Sequence, residues 1–318
     1  MSDGNTRYWY TLSYTEAEAE IARCEAETLL GDVELVGPVA LSPLLRDPSR
    51  AAHLGARLLP LARAATWQGL LEAVQALRLS ASRFKIEVRH LHSAKSTAYR
   101  PLASALGAAI QGDADLTSPN TRFWALETQE GWWFGQVEAT ASKPWQAFAP
   151  HEHTFSSALP PRLALACVAM ACPDGETFLD PCCGCGTLVL QAAGIGLTAV
   201  GADISPRMVW LTRKNLRQMN LRALVCRADA RSIGGCFDGV ATNLPYGKYL
   251  SRPPGLYEAI AANLVRQTKR AVLVGAEDCS RLWEEAGFRV AHMARVSAGA
   301  LTRYLHVCMS EVEREGRK

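Results

Sequence analysis

The sequence contains no apolar run long enough to cross a membrane. Its longest strongly apolar stretch, residues 163–172, has ten residues, whereas a transmembrane helix needs roughly 20. The amino terminus, MSDGNTRYWYTLSYTEAEAE, lacks the basic segment followed by an apolar segment that is typical of a secretory signal. We therefore expect a cytoplasmic protein that has no membrane contact.

The ten cysteines include no second pair that would complete a zinc site. Their only cluster is CCGC at positions 182–185, and no His-x-x-x-His pattern supplies further ligands. Cytosolic reductants keep thiols free, and cysteine also serves as a small buried hydrophobic residue. We expect neither a disulfide framework nor a bound metal.

Internal repeats and low-complexity tracts are also absent. The composition, with 48% hydrophobic and 20% charged residues, excludes a chain that is disordered throughout. A length of 318 residues is typical of two or three domains. Residues 1–140 alternate strands and helices without a phosphate-binding loop, and residues 141–156 predict a linker. From residue 157 the regular strand–helix alternation predicts an α/β domain with a doubly wound, mostly parallel sheet, whose ligands bind at the strand carboxyl ends. The last two strands predict an antiparallel hairpin at the sheet edge.

The net charge of +3 is unevenly distributed. Residues 1–160 carry 14 Lys and Arg against 17 Asp and Glu, whereas residues 161–318 carry 20 against 14. Within the acidic half, residues 78–100 hold six basic side chains and a single acid, Glu87. Such a stretch either contacts phosphates or forms a solvated strand and loop. The candidate phosphate-binding residues are Arg83, Lys85, Arg89, Lys95 and Arg100.

The strongest local motif is DPCCGCGT at residues 180–187, between a predicted strand and a predicted helix. Its glycines permit a tight turn, and the amides at the helix start would face a ligand. The third glycine of the dinucleotide fingerprint is missing, and the alternative is an ordinary strand–helix turn. The candidate cofactor-binding residues here are Asp180, Cys182, Gly184, Gly186 and Thr187.

Acidic residues follow the next two predicted strands as well. Asp203 is placed to hold two ribose hydroxyls, and Ile204 beside it to cover an adenine face. Asp229 and the Ala230 amide are placed to bind the adenine edge. Each acid alone is more often a cap or turn residue. Three acids at successive strand ends favour a cofactor that contains adenosine.

The motif NLPYG at residues 243–247 follows a fourth predicted strand. Chemistry on an exocyclic amine needs acceptors for its protons, which the Asn243 side chain and the Leu244 carbonyl supply. Pro245 restrains the turn, and Tyr246 offers a ring on which a base stacks, a role that does not need its hydroxyl. The alternative is a simple Pro-Tyr-Gly turn.

These motifs carry a resemblance to known families. The second half resembles the Rossmann-like class I S-adenosylmethionine-dependent methyltransferases, and NLPYG resembles the motif of the N2-guanosine RNA methyltransferases. In the first half, RFKIEVRHLHSAKSTAYRPLASALGAAI, DADLTSPNTRFWAL and WWFGQVEA resemble a THUMP module. The segment FSSALPPRLALACVAMA resembles the helix that leads into the catalytic domain. The resemblance implies a ferredoxin-like segment at 1–65, a THUMP-like RNA-binding domain at 66–140, a linker at 141–156 and a methyltransferase domain with a seven-stranded sheet at 157–318.

The resemblance implies methyl transfer from S-adenosylmethionine to the N2 amine of a guanosine in the acceptor-stem region of tRNA. The THUMP-like domain would hold the tRNA 3′ end, Lys248 joins the candidate RNA-binding residues, and we expect a monomer. Leu244 stands where many amino-methyltransferases have proline, and Gln191 where the family often has glutamate. Because Asn243 cannot take a proton as a carboxylate might, the amine would lose its proton to water.

Other functions remain open from the sequence. The same turn resembles those of adenine-N6 and protein glutamine methyltransferases, and a guanosine in ribosomal RNA is a further alternative substrate. A non-catalytic RNA-binding scaffold is the alternative from another class of protein. The sequence identifies neither the target guanosine nor the number of methyl groups added.

Overall fold

The structure, a computed structural model, describes residues 7–91, 100–148, 158–246, 253–298 and 301–312. Its strands are β1 (Tyr8–Leu12), β2 (Glu34–Val36), β3 (Val39–Ser42), β4 (Leu54–Ala64), β5 (Phe84–His90), β6 (Thr121–Thr128), β7 (Gly131–Thr140), β8 (Thr177–Asp180), β9 (Thr198–Asp203), β10 (Leu224–Arg227), β11 (Gly239–Asn243), β12 (Arg270–Gly275), β13 (Phe288–Ala298) and β14 (Leu301–Ser310). Its helices are α1 (Ala19–Leu30), α2 (Trp67–Ala76), α3 (Arg100–Ala108), α4 (Pro144–Ala147), α5 (Pro161–Ala171), α6 (Thr187–Gly194), α7 (Pro206–Gln218), α8 (Leu256–Leu264) and α9 (Ser280–Glu285). None of the described helices is long and apolar enough to cross a membrane.

The described residues divide into two compact units. Unit 1 takes its residues from Met1–Ser13, Leu30–Pro48 and Leu54–Ser142, and unit 2 from Tyr14–Leu29, Ser49–His53 and Lys143–Lys318. Each unit contains one seven-stranded sheet. Both sheets mix parallel and antiparallel strand pairs, so the predicted α/β class is confirmed.

The sheet of unit 1 has the order β2-β3-β1-β4-β7-β6-β5. Every second residue of β5 is buried, which places Phe84, Ile86 and Val88 against α2 and α3. This confirms the half-exposed strand that the alternation of apolar and charged residues predicted. Strands from both predicted segments, 1–65 and 66–140, share this sheet because β4 pairs with β7. The sequence analysis did not predict β4, whose run LGARLLPLARA has no strict alternation and contains Pro60, where the pairing register shifts.

The sheet of unit 2 has the order β10-β9-β8-β11-β12-β14-β13. Its first five strands are parallel, whereas β14 and β13 form an antiparallel pair at the edge. The predicted doubly wound sheet and its terminal hairpin are therefore confirmed. Helix α5 is apolar on all sides and is buried over residues 163–171, because it lies inside the core of this unit.

A buried hydrogen-bonded pair, Glu25 and His53, links residues 49–53 to helix α1 of unit 2. Glu25 of α1 and His53 are at most 1% exposed, and Glu25 Oε2 lies 2.7 Å from His53 Nδ1. The same carboxylate accepts the backbone amides of Ala52 and His53, each at 2.8 Å. A buried carboxyl group is tolerated when its oxygens are hydrogen-bonded in this way. The pair thus attaches this short segment to α1.

Candidate active site

The carboxyl ends of β8, β9, β10 and β11 lie side by side at one edge of the sheet in unit 2. Asp180 is level with Gly201, and Arg227 with Asp203, in parallel register. Ligands of doubly wound sheets bind at such edges. The predicted cofactor-binding residues follow three of these strands, and residues 243–246 follow the fourth: Asp180, Cys182, Gly184, Gly186 and Thr187 after β8, Asp203 and Ile204 after β9, Asp229 and Ala230 after β10, and Asn243, Leu244, Pro245 and Tyr246 after β11.

The glycine loop between β8 and α6 is held by its neighbours. The Gly184 amide donates to Asp203 Oδ2 at 2.9 Å, and the Gly184 carbonyl accepts from the Thr212 hydroxyl at 2.7 Å. Gly186 has φ +91°, and a Cβ there would lie 2.7 Å from the Thr212 side chain, so only glycine fits. Asn215 donates to a further loop carbonyl at 2.8 Å. Thr212 and Asn215 were not predicted, although two polar residues on the apolar face of an amphipathic helix were a usable signal.

Asp180 is a buried carboxyl at the start of this loop. Its side chain accepts from the Thr242 hydroxyl at 2.9 Å and from the Cys182 amide at 3.1 Å. Burial raises the pKa of Asp180 to about 7, although these two hydrogen bonds oppose the shift. The carboxyl therefore exchanges its proton near neutral pH, and a cation bound beside it would favour its charged form.

Asp203 ends β9 with both carboxylate oxygens engaged by backbone amides. One oxygen accepts from Gly184 and the other from Ser205, each at 2.9 Å. Each carboxylate oxygen has a second lone pair, so the side chain retains capacity for two hydroxyl donors. The adjacent Ile204 is 61% exposed. An exposed isoleucine beside a hydrogen-bonding carboxylate suits a sugar with an attached planar ring.

Asp229 is engaged by an arginine that the sequence analysis did not predict. Arg231 donates from Nε to Oδ1 at 3.0 Å and from its terminal nitrogen to Oδ2 at 2.6 Å. The hydrogen bond from Arg231 lowers the pKa of Asp229. Ala230 is buried, and its carbonyl accepts from Asn263 at 3.0 Å. Asp229 is thus a charged, partly exposed carboxylate at the edge of the site.

The turn after β11 is fixed at two backbone positions. The Leu244 amide donates to the Val274 carbonyl of β12 at 2.9 Å, and the Pro245 carbonyl accepts from the Tyr257 hydroxyl of α8 at 2.9 Å. Leu244 itself is buried. The turn therefore has a defined position relative to the parallel strands.

Three side chains form a hydrogen-bond relay at this turn. Arg303 Nε donates to the Tyr246 hydroxyl oxygen at 2.8 Å, and the hydroxyl donates to Asn243 Oδ1 at 2.8 Å. The directions follow from chemistry, because a guanidinium only donates and the tyrosine proton then needs an acceptor, which an amide oxygen provides and an amide nitrogen does not. The relay thereby sets the orientation of the Asn243 amide.

Arg303 was missed by the sequence analysis, although it is only 3% exposed. An arginine that alternates with the buried residues Leu305 and Val307 in strand β14 was the available signal. The Tyr246 ring is 9% exposed, so most of its surface is already covered by the protein. Stacking of a base on this ring stays a prediction.

The basic residues predicted to bind RNA lie in unit 1, and several are paired with acids. Arg83 donates to Asp115 at 3.0 Å, whereas Lys85 and Arg89 lie 3.6 and 3.2 Å from Glu87 oxygens. Arg100 and Arg89 line an open groove of about 340 Å³. Two predicted residues, Lys95 and Lys248, lie outside the described residues.

Glu87 is the centre of this basic cluster. It accepts hydrogen bonds from Arg122 at 3.1 Å and from the Trp124 indole at 2.6 Å. Burial alone would raise its pKa, but these hydrogen bonds and Arg89 lower the pKa of Glu87 to about 2. The Arg89 guanidinium lies 3.7 Å from the centre of the Trp124 ring. The acid therefore compensates only part of the positive charge and holds the cations in place.

The CCGC cluster has the character of packing residues. All ten cysteines are free, and burial raises the pKa of the Cys182 and Cys183 thiols. In the part of the chain that the structure describes, no group of three or more His, Cys, Asp or Glu side chains is arranged to hold a metal ion. Gln191, noted for its departure from the family pattern, is buried and donates to the Phe148 carbonyl at 3.0 Å.

The strand order of unit 2, with its antiparallel edge pair and glycine loop, defines a class I methyltransferase fold. Residues 151–303 match the family model of UPF0020, the RMKL-like methyltransferase domain. This part of the chain is therefore similar to that methyltransferase domain, in agreement with the methyltransferase predicted for the second half. The THUMP resemblance of the first half stays a prediction.

Individual proteins show more distant similarity. The chain is 32% identical over 159 residues to a tRNA (guanine(10)-N2)-dimethyltransferase of Methanothermobacter thermautotrophicus, covering 46% of this chain and 47% of that protein. It is 29% identical over 183 residues to a ribosomal protein L11 methyltransferase of Laribacter hongkongensis, covering 54% and 57%. The chain thus spans about half the length of these curated relatives. The crystal structure of TrmN from Thermus thermophilus aligns with a TM-score of 0.47 and 21% identity over 96% of this chain and 99% of that chain.

Proposed function

We propose that the protein transfers a methyl group from S-adenosylmethionine to the exocyclic N2 amine of a guanosine in the acceptor-stem region of tRNA. The observation that carries this proposal is the relay that presents Asn243 Oδ1 on the same sheet edge as the glycine loop. The relative that methylates guanine in tRNA, by its name, supports the choice of substrate.

The residues of the sheet edge fit the proposed cofactor. A Cβ added at Gly184 would meet no atom within 4 Å, so the loop borders open space that a ligand can occupy. Asp180 would stabilise a nearby positive charge, Asp203 would accept the ribose hydroxyls, and Ile204 would cover the adenine. The cofactor, when bound, supplies an electrophilic methyl group on a sulfonium. The protein contributes mainly alignment, because the donor is already activated.

Asn243 and Leu244 would orient the target amine. Asn243 Oδ1 accepts from Tyr246, and because an amide oxygen can accept two hydrogen bonds, it would also accept a proton of the target amine. The Leu244 carbonyl would accept the other proton, and the nitrogen lone pair is then free to attack the methyl group. Because an amide is not a base at neutral pH, the methylated amine would release its proton to water.

The tRNA would be held by Arg83, Lys85, Arg89 and Arg100 of unit 1. Since the N2 amine lies inside a duplex, the target nucleotide would have to leave the stack before it reaches the sheet edge. Capture of the tRNA 3′ end by the THUMP-like domain, a monomeric state and a cytoplasmic location belong to the same proposal.

A substrate panel tests the proposal. Single-turnover transfer from labelled S-adenosylmethionine is measured with a tRNA transcript, a ribosomal RNA fragment, duplex DNA and ribosomal protein L11. Ribosomal protein is the second candidate substrate, because a relative with that named activity matches more than half of the chain. We expect transfer to tRNA alone. Transfer to the protein or to DNA but not to tRNA would contradict the substrate, and binding of tRNA without any transfer would favour a scaffold.

Asn243→Ala and Asn243→Asp make the panel specific for the proposed site. Loss of one positioned acceptor commonly lowers the rate about a hundredfold. We expect Asn243→Ala to show this loss with unchanged affinity for cofactor and tRNA, because the acceptor acts mainly in the transition state. Asn243→Asp keeps an acceptor and should retain part of the rate. A fully active Asn243→Ala enzyme would mean that residues 243–246 are only a turn.

A further inference from the structure

The outer face of α7 in unit 2 carries cations and an exposed tryptophan in one row. Arg207, Trp210, Lys214 and Arg217 are spaced by three, four and three residues, which places them on one side of a helix. Trp210 is 54% exposed, and Lys214 Nζ lies 5.4 Å from the centre of its ring. The opposite side of the same helix holds the glycine loop through Thr212 and Asn215.

Acidic residues are scarce around Lys214 and Arg217 in the described part of unit 2. Residues 204–227 contain six Lys and Arg and no Asp or Glu. The elements that make the main contacts of α7 are α6, β9 and β10, and their only acid is Asp203. The Asp203 side chain accepts from the Gly184 and Ser205 amides at the sheet edge. A helix face that carries Lys214 and Arg217 with few acids beside them attracts a polyanion.

The dimensions of the row suit a nucleic acid. Ten residues of helix separate Arg207 from Arg217, a length of about 15 Å. A duplex carries one phosphate charge per roughly 1.7 Å of its axis, so a row of this length meets several phosphates. An exposed tryptophan among cations adds a surface for stacking on an unpaired base, which binds without sequence preference. An acidic protein surface would also bind the cations, but it has no unpaired base to stack on the tryptophan ring. The exposed tryptophan therefore favours a nucleic acid over an acidic protein.

We propose that the exposed face of α7 is a second nucleic-acid contact surface, which binds the sugar–phosphate backbone of the RNA substrate on the methyltransferase unit itself. This inference rests on the proposed function, because it takes tRNA as the polyanion. Since α7 also holds the glycine loop, contacts on its outer face anchor the RNA to the element that borders the cofactor-binding residues. The cations of unit 1 then have a separate role in RNA binding.

Lys214→Ser/Arg217→Ser tests the inference against a matched control. The control, Arg281→Ser/Arg289→Ser, removes two exposed cations from another part of unit 2. Affinity for a tRNA transcript is measured at a series of salt concentrations. Each lost phosphate contact lowers the slope of log affinity against log salt by about 0.7–0.9. We expect the α7 variant to lose roughly 1.4–1.8 in slope, and the control to keep the slope of the wild type.

Trp210→Ala and Trp210→Phe separate stacking from charge. Loss of one stacked base should weaken tRNA binding by about fivefold to 150-fold in Trp210→Ala, and the phenylalanine ring should restore part of it. S-adenosylmethionine affinity, measured by calorimetry, should stay unchanged in all α7 variants. An unchanged salt slope in Lys214→Ser/Arg217→Ser, in an enzyme that still methylates tRNA, overturns this inference alone. If Lys214→Ser/Arg217→Ser shows the expected loss of slope but the wild-type protein methylates no RNA, the proposed function is contradicted and the contact surface is still supported.

Discussion

Replacing Tyr246 with phenylalanine removes one oxygen and keeps the ring, so it isolates the relay from base stacking. In the wild type the hydroxyl accepts from Arg303 and donates to Asn243, each at 2.8 Å. The sequence alone predicts a mild effect, since stacking needs only the ring. The structure predicts a larger effect, because the hydroxyl sets the orientation of the Asn243 amide.

The magnitude follows from the two hydrogen bonds. The hydrogen bond from the Tyr246 hydroxyl to Asn243 joins neutral groups and contributes about 0.5–1.5 kcal/mol to stability. The hydrogen bond from the charged Arg303 guanidinium contributes about 1.5–3 kcal/mol. Arg303 is 97% buried, since its exposure is 3%, so its charge would lose a partner that water replaces poorly. We expect Tyr246→Phe to lower the free energy of unfolding by about 2–4.5 kcal/mol. The rate of methyl transfer should fall roughly tenfold, less than the hundredfold that loss of the acceptor itself would cause.

Tyr257→Phe is the matched control for this prediction. It deletes the hydroxyl that donates to the Pro245 carbonyl in the same turn, at 2.9 Å, whereas the Tyr246 hydroxyl donates to the Asn243 side chain. Urea unfolding and single-turnover methylation of a tRNA transcript are measured for both variants. We expect Tyr257→Phe to lose about 1 kcal/mol of stability and to keep nearly the wild-type rate. A Tyr246→Phe enzyme with the wild-type rate, while Asn243→Ala is inactive, would refute the relay as the device that orients Asn243.

The remaining predictions concern the cofactor-binding acids and the basic residues of unit 1. The folded-state pKa of Asp180 is raised to about 7, so this group should make stability fall as the pH rises from about 4 to 7; a pH series of urea unfolding should show this slope in the wild type and not in Asp180→Asn. Asp203→Ala should weaken S-adenosylmethionine binding, by about 1.5–3 kcal/mol for each lost charged hydrogen bond, and unchanged affinity in calorimetry would contradict the ribose assignment. Arg83→Ser/Lys85→Ser/Arg89→Ser should lower the salt slope of tRNA binding by about 0.7–0.9 for each lost phosphate contact, whereas an unchanged slope would show that the stretch is a solvated face.

Local patterns predicted the parts of the structure that depend on neighbouring residues. The regular alternation after residue 157 predicted the doubly wound sheet, and the glycine loop was predicted between β8 and α6 because its turn chemistry lies within eight residues. The order of parallel strands then placed Asp180, Asp203 and Asn243 at one edge. The spacing of the motifs was sufficient to predict this shared edge, because the carboxyl ends of parallel strands lie at the same edge of a sheet.

Contacts between distant residues were not predictable in the same way. Arg303 is 57 residues from Tyr246, and only the pairing of β14 with β12 brings it to the turn. Glu25 and His53 pair across 28 residues, which no local pattern indicates. Arg231 lies only two residues from Asp229 and donates two hydrogen bonds to its carboxylate. This interaction was not predicted, because Asp229 was considered only as a ligand for adenine. Side-chain partners are selected by packing, which a single sequence does not reveal.

The central claim is that the methyl group reaches the N2 amine of a guanosine. A tRNA transcript is incubated with the protein and S-adenosylmethionine that carries a labelled methyl group, digested to nucleosides and separated by mass spectrometry. We expect label in N2-methylguanosine, and we expect Asn243→Ala to lose this label. Label in N6-methyladenosine, or labelled guanosine of undiminished yield from Asn243→Ala, would contradict it.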